Sequence, residues 1–84
     1  GDVGGAHAGY RIYPCQDGRV AVAALEPHFA ARLCAAAGLA AQGDAEHLRH
    51  PATHEAIARF LQGQTRAQLD ALARAQDIPL HVLD

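Results

Sequence analysis

The dipeptide Asp17-Gly18 is the feature that most constrains the fold of this chain, because it separates two segments with the alternating pattern of β-strands. The first segment covers residues 10–15, and the second, residues 19–25, is rich in valine and alanine. Glycine readily adopts the positive φ that short hairpin turns require, and aspartate tolerates it. The sequence therefore predicts a β-hairpin in which the two valines of the second strand point into a core.

Three segments after the hairpin place apolar residues at the i, i+3, i+4 spacing of an amphipathic helix. Pro27 suits the first turn of the first helix, and Gly38 suits the cap that follows its end. Thr65 and Gln68 have the spacing of a capping box at the start of the third helix. The predicted helical ranges are 27–37, 51–61 and 65–76. Because the chain has many alanines, the larger apolar residues must fill the core: Phe29, Ile57, Phe60, Leu69 and Leu72.

Residues 78–83 alternate like a strand, and Pro79 has no N–H for a ladder, so we expect this strand at a sheet edge. The predicted fold class is α+β: a β-hairpin, three amphipathic helices and a C-terminal strand form a small antiparallel sheet covered by helices. Residues 1–9 contain four glycines and predict a flexible entry segment. Residues 10–84 predict one small domain.

Composition argues against several functions. The net charge of −2 disfavours nucleic-acid binding, and no apolar stretch approaches the length of a membrane span. The chain has no serine and no lysine, which excludes chemistry by these side chains. Cys15 and Cys34 lack CxxC spacing, so we expect reduced thiols and a cytoplasmic protein, with Cys34 in the core and Cys15 more exposed. An 84-residue chain without methionine also indicates a domain of a longer protein.

The histidines His47, His50 and His54 lie close enough in sequence to suggest a metal site. Pro51 interrupts their spacing at a helix start, and no zinc motif is present, so we expect no metal. A small metal-binding protein remains the alternative for this cluster.

Glu26 lies where the second strand ends and the first helix begins, directly before Pro27. Functional side chains are often displayed at such corners. A carboxylate there could equally stabilise the helix N-terminus. The residues alone leave both roles open.

Two blocks of motifs follow one another along the chain. The first is Gly4-Gly5, Tyr10, Tyr13, Asp17-Gly18-Arg19 and Ala24-Leu25-Glu26-Pro27 with Phe29. The second is His50-Pro51, Phe60, Thr65-Arg66-Ala67-Gln68 and Asp77-Ile78-Pro79-Leu80-His81-Val82. Together they resemble the C-terminal small domain of coenzyme A transferase family III, also called the L-carnitine dehydratase and bile-acid-inducible protein F family. The first block is most similar to the α-methylacyl-CoA racemase branch, whereas Leu69 stands where the family usually has tryptophan.

The resemblance implies an acyl-CoA-processing enzyme whose large domain carries CoA and the main catalytic groups. It also implies an interlocked homodimer with each active site between the large domain of one subunit and the small domain of the other. In the racemase branch, Glu26 would orient the catalytic histidine of the large domain. Gly4, Gly5 and Tyr10 would lie on the substrate side, and no metal would take part.

The resemblance leaves the reaction open between CoA transfer, racemisation and dehydration, because the large-domain residues that decide it are absent from this chain. By itself the domain is expected to be inactive. The alternative is a module that mediates dimerisation or another interaction without chemistry.

Overall fold

The computed structural model describes residues 6–7, 10–23, 27–39 and 51–84. Within these ranges the elements follow the predicted β-β-α-α-α-β order, which confirms the α+β fold class. A short strand at residues 6–7, for which the sequence pattern predicted no element, precedes them. In chain order the elements are β1 (Ala6–His7), β2 (Tyr10–Cys15), β3 (Gly18–Val22), α1 (Pro27–Ala36), α2 (Pro51–Gln62), α3 (Arg66–Gln76) and β4 (Leu80–Leu83).

The described strands form one antiparallel sheet in the order β1-β2-β3-β4. Strand β4 therefore lies at the edge of this sheet, as Pro79 predicted. The side chains on the helix-covered face include Val20 and Val22, both buried as predicted. Helix α2 packs against β2, and α3 packs against β3 and β4.

The β2–β3 hairpin is present, but the reason for its glycine differs from the prediction. The turn residues are Gln16 and Asp17, and Gly18 already pairs with Cys15 as the first residue of β3. Gly18 is not among the described residues with positive φ. Instead, a Cβ on Gly18 would lie 2.9 Å from Cδ of Arg66 and 3.1 Å from the carbonyl oxygen of Leu83. Glycine is needed here for close approach rather than for an unusual backbone angle.

The hydrophobic core joins the sheet to the three described helices. Of the five large residues predicted to fill it, Ile57 and Leu69 are buried, whereas Phe60 and Leu72 are partly buried at its margin. Phe29 lies outside this cluster and is partly exposed. The prediction thus overestimated the aromatic share of the core. The most deeply buried side chains are Leu33, Leu61, Leu69, Val20 and Cys34.

The predicted cap at Gly38 and the predicted capping box at Thr65 are both confirmed. Gly38 has φ of 83°, and the next residue, Leu39, donates its N–H to the Cys34 carbonyl at 2.7 Å. This is the pattern of a left-handed helix cap. At the start of α3, the Thr65 hydroxyl and the Gln68 side chain each accept the other residue's backbone N–H, at 3.1 and 2.8 Å. The predicted capping box is therefore present.

The two cysteines are both buried and reduced. Cys34 belongs to the core, as predicted. The expectation that Cys15 would be more exposed is wrong, because Cys15 shares the helix-covered face of the sheet with Val20 and Val22. As for the membrane, none of the helices in the described ranges is both long and apolar enough to span a bilayer.

Candidate functional site

The candidate site is the sheet end where β3 stops at Val22. The chain continues through Ala23, passes residues 24–26, and re-enters the described structure at Pro27, the first residue of α1. Glu26 belongs to that intervening segment and lies outside the described residues, as do Gly4 and Gly5. We use the name "β3 exit" for Val22 and Ala23.

Backbone pairing fixes the β3 exit on both sides. Val22 lies between Arg11 of β2 and Leu80 of β4. One residue further on, the Ala23 N–H donates to the Pro79 carbonyl at 2.9 Å. The direction in which the chain leaves the sheet toward Glu26 is therefore set by β2 on one side and by the α3–β4 connection on the other.

Helix α1, which follows residues 24–26 in sequence, contacts the same α3–β4 connection. The Arg32 guanidinium donates to the Asp77 backbone carbonyl at 3.0 Å and to its carboxylate at 3.4 Å. It also lies over the Phe29 ring, 5.5 Å from the centroid, which is within cation–π range. The described segments that precede and follow Glu26 in sequence, the β3 exit and α1, thus both contact residues 77–79.

Arg11 and His54 form a second contact beside the β3 exit. Arg11 Nη1 lies 3.1 Å from His54 Nδ1 and joins β2 to the first turns of α2. Because arginine only donates, Nδ1 is the acceptor, and the neutral ring carries its proton on Nε2.

Tyr10 precedes Arg11 and, by strand alternation, lies on the opposite face of the sheet. It pairs with His7 of β1 and is 36% exposed. The structure therefore places Tyr10 at the same sheet end as the β3 exit but does not bring it together with His54. This partial exposure leaves part of the Tyr10 side chain accessible to a ligand or to another domain.

The histidine cluster is only partly within the described residues. His47 and His50 lie outside them, and His54 is engaged with Arg11 through Nδ1. Among the residues that the structure describes, no three His, Cys, Asp or Glu side chains are placed to hold a metal ion.

Thiol chemistry finds no support in the described part of the chain. Desolvation by burial raises the pKa of the Cys34 thiol, which disfavours the nucleophilic thiolate. Cys15 is 9% exposed, and its thiol points to Asp17, with 3.9 Å between Sγ and Oδ1. The described polar residues near the β3 exit supply hydrogen bonds that anchor one element to another.

Two contacts at this site were not predicted from the sequence, namely Arg11 with His54 and Arg32 with Asp77. Each joins residues more than forty positions apart, so no local spacing could reveal the pair. A local signal did exist for Asp77, since aspartate after a helical stretch tolerates the left-handed conformation found there, with φ of 53°.

Comparison with known protein families identifies the family of the sequence. The sequence profile described as CoA-transferase family III matches residues 1–84, the whole chain. Neither the curated proteins nor the solved structures gave a significant match. The match agrees with the family resemblance of the two motif blocks in the sequence. The chain therefore belongs to CoA-transferase family III, whose substrates are CoA thioesters.

Proposed function

We propose that this chain is the small domain of a longer cytoplasmic acyl-CoA-processing enzyme, either a family III CoA transferase or a 2-methylacyl-CoA racemase. Residues 1–9 would lead into it from the large domain, and residues 10–84 would form the domain itself. The observation that carries this proposal is the family match over the whole chain. The domain is inactive alone, and its role is to shape the active site and the homodimer.

The character of the described residues supports a role in shaping rather than in bond making. Both thiols are buried, and the chain has neither serine nor lysine. The polar groups next to the β3 exit, Arg11, Arg32 and His54, are engaged in contacts between elements. Such contacts would stabilise the shape of the surface near the β3 exit, against which the catalytic large domain would pack.

Glu26 is the one residue of this chain to which we assign a direct part in the active site. In a racemase, a histidine of the large domain would exchange the proton at the carbon next to the thioester carbonyl. A carboxylate that accepts a hydrogen bond from the other ring nitrogen fixes the tautomer of that histidine and stabilises its protonated form. Glu26 would therefore orient the base without touching the substrate.

Gly4, Gly5 and Tyr10 are proposed to lie on the acyl-CoA side. Tyr10 is suited to this role because its side chain is 36% exposed. The partners of the domain would be the large domain of its own chain and that of a second subunit.

The test uses the complete enzyme with Glu26 intact and with Glu26→Gln. Both are assayed for α-proton exchange of a 2-methylacyl-CoA in deuterated water and for CoA transfer between acids. A racemase predicts exchange that falls at least about tenfold in the variant, which corresponds to about 1.4 kcal/mol of transition-state stabilisation. Glu55→Gln is the matched control, because Glu55 lies exposed on α2 and should leave the rate unchanged.

The two assays separate the reactions. CoA transfer without proton exchange would assign the transferase reaction and leave Glu26 as a residue of the helix start. Absence of both activities in the intact enzyme would contradict the proposal and favour an interaction module.

A further inference from the structure

Residues 77–79 connect α3 to β4 and contact both chain segments that flank residues 24–26. We call these three residues the brace. Its contacts with the end of β3 and with α1 come from different atoms of different residues. The brace therefore contacts both segments that flank Glu26 in sequence, in addition to the core packing that joins α1 to the sheet through Leu33 and Cys34.

The first contact holds the end of β3. The Ala23 N–H donates to the Pro79 carbonyl at 2.9 Å. Because proline has no backbone N–H, this is the one backbone hydrogen bond that the pair can form. This bond extends the β3–β4 pairing one residue beyond Val22 and Leu80. It defines the position from which the chain departs toward Glu26.

The second contact holds helix α1. Arg32 Nη1 lies 3.0 Å from the carbonyl oxygen of Asp77 and 3.4 Å from its Oδ2. The guanidinium is further confined by the ring of Phe29 in the preceding turn of α1. Helix α1 begins at Pro27, the residue after Glu26. The contact between Arg32 and Asp77 therefore helps to fix the position of α1 relative to the brace.

The brace itself is well anchored. Asp77 adopts the left-handed conformation, with φ and ψ both 53°, and the N–H of Ile78 donates to the Ala73 carbonyl at 3.0 Å. Ile78 is 3% exposed and belongs to the core. The Asp77 carbonyl therefore presents a fixed acceptor to Arg32.

We propose that Arg32 is a positioning residue for the reaction, and that it acts by holding α1 on the brace so that Glu26 meets its histidine partner at the correct angle. This inference rests on the role proposed for Glu26 above. A small displacement of an orienting group lowers the rate of a proton transfer without changing how substrate binds.

Stability is not the main role of this contact. The side chains of Arg32 and Asp77 are 41% and 91% exposed, and ion pairs at such positions contribute little to folding. The fold of the Arg32 variants should therefore persist, which makes the catalytic effect measurable.

The experiment is a double-mutant cycle in the complete enzyme, with Arg32→Gln alone, Glu26→Gln alone and both together. With Glu26 present, Arg32→Gln should lower kcat for α-proton exchange about threefold to fivefold and leave KM unchanged. With Glu26→Gln already present, it should cause no further loss. Arg32→Lys keeps a charged donor and should restore part of the rate.

Arg74→Gln is the matched control, because Arg74 forms an exposed pair with Asp70 within α3, at 3.0 Å, and this pair does not join α1 to the brace. It should leave kcat unchanged. Amide hydrogen exchange provides the second readout: in Arg32→Gln, faster exchange should be confined to peptides that contain Ala23 or the start of α1.

The outcomes are distinct. An equal loss in the presence and absence of Glu26, or no loss at all, would overturn the positioning role while leaving the role of Glu26 intact. Faster amide exchange throughout the domain would overturn it as well, because Arg32 would then be a folding residue. A rate insensitive to Glu26→Gln would refute the proposed role of Glu26 itself, and the inference with it.

Discussion

Asp17 caps helix α3 from another element, because its Oδ1 accepts the backbone N–H of Arg66 at 2.8 Å. The neighbouring residue Gln16 completes the connection: its N–H donates to the Gln64 carbonyl at 2.8 Å, and its side-chain amide donates to the Gly63 carbonyl at 3.0 Å. The tip of the hairpin thereby fixes the turn between α2 and α3. Asp17, which the sequence pattern assigned to the hairpin turn, therefore also stabilises helix α3, about fifty residues further along the chain.

Replacement of Asp17 by alanine should destabilise the domain by about 1 kcal/mol, because the first turn of α3 loses a charged acceptor. Asp17→Asn keeps an acceptor oxygen and should cost less. Urea unfolding of the protein and both variants measures the difference. Asp70→Ala, which breaks only an exposed pair within α3, serves as the control, and an equal effect from it would contradict the capping role.

Gly18→Ala should destabilise the fold by about 1 kcal/mol, although alanine normally suits a strand better than glycine. The added methyl group would meet the Leu83 carbonyl, which belongs to the backbone and cannot easily move, and Cδ of Arg66. Truncation of the Arg66 side chain to alanine should relieve part of the cost, a coupling that thermal unfolding of the double variant would detect. At Gly63 the nearest atom is 3.5 Å away, so Gly63→Ala should be close to neutral.

Leu61→Ala should be among the most damaging single substitutions, at about 2–5 kcal/mol, because Leu61 is fully buried between the sheet and the helices. Val82→Ala provides the contrast, since Val82 is 36% exposed on the edge strand β4 and should cost well under half as much. Denaturant midpoints for the two variants test the ranking. Similar losses at both positions would show that the core lies elsewhere.

The raised pKa of Cys34 predicts weaker folding in alkali. The unfolded chain releases the thiol proton at the ordinary pKa of about 8.5, whereas the folded chain holds it to higher pH. Stability is therefore complete below that value and declines as pH rises toward the pKa of the folded state. Unfolding measured from pH 7 to 10 should show the decline, and Cys34→Ala should reduce its slope. Reaction with a thiol reagent should likewise be slow until the chain unfolds.

Features set by neighbouring residues could be predicted from the sequence. The capping box at Thr65, the left-handed cap at Gly38 and the edge position after Pro79 each depend on a few adjacent positions, and all are found in the structure. The i, i+3, i+4 spacing of apolar residues in the helices likewise predicted that Ile57 and Leu69 lie in the core.

Features set by distant contacts could not be predicted in this way. The need for glycine at position 18 comes from Arg66 and Leu83, and the burial of Cys15 comes from the helices that cover its strand. At the candidate site, sequence motifs identified Glu26, Gly4, Gly5 and Tyr10 through a family resemblance. Their proposed roles involve a large domain, and no local pattern of this chain tests them.

The pairing of β4 with β3 has a consequence for how the domain forms during synthesis. Leu80 pairs with Val22, so this side of the sheet closes only after the three described helices have been made. Pairings between such distant residues form slowly, because closing the long intervening loop costs entropy. On the ribosome, the hairpin and helices would emerge first, and the β3 exit would gain its Pro79 partner only when the last strand had left the exit tunnel. A ribosome-stalled chain lacking residues 79–84 should therefore be open to proteases at Ala23.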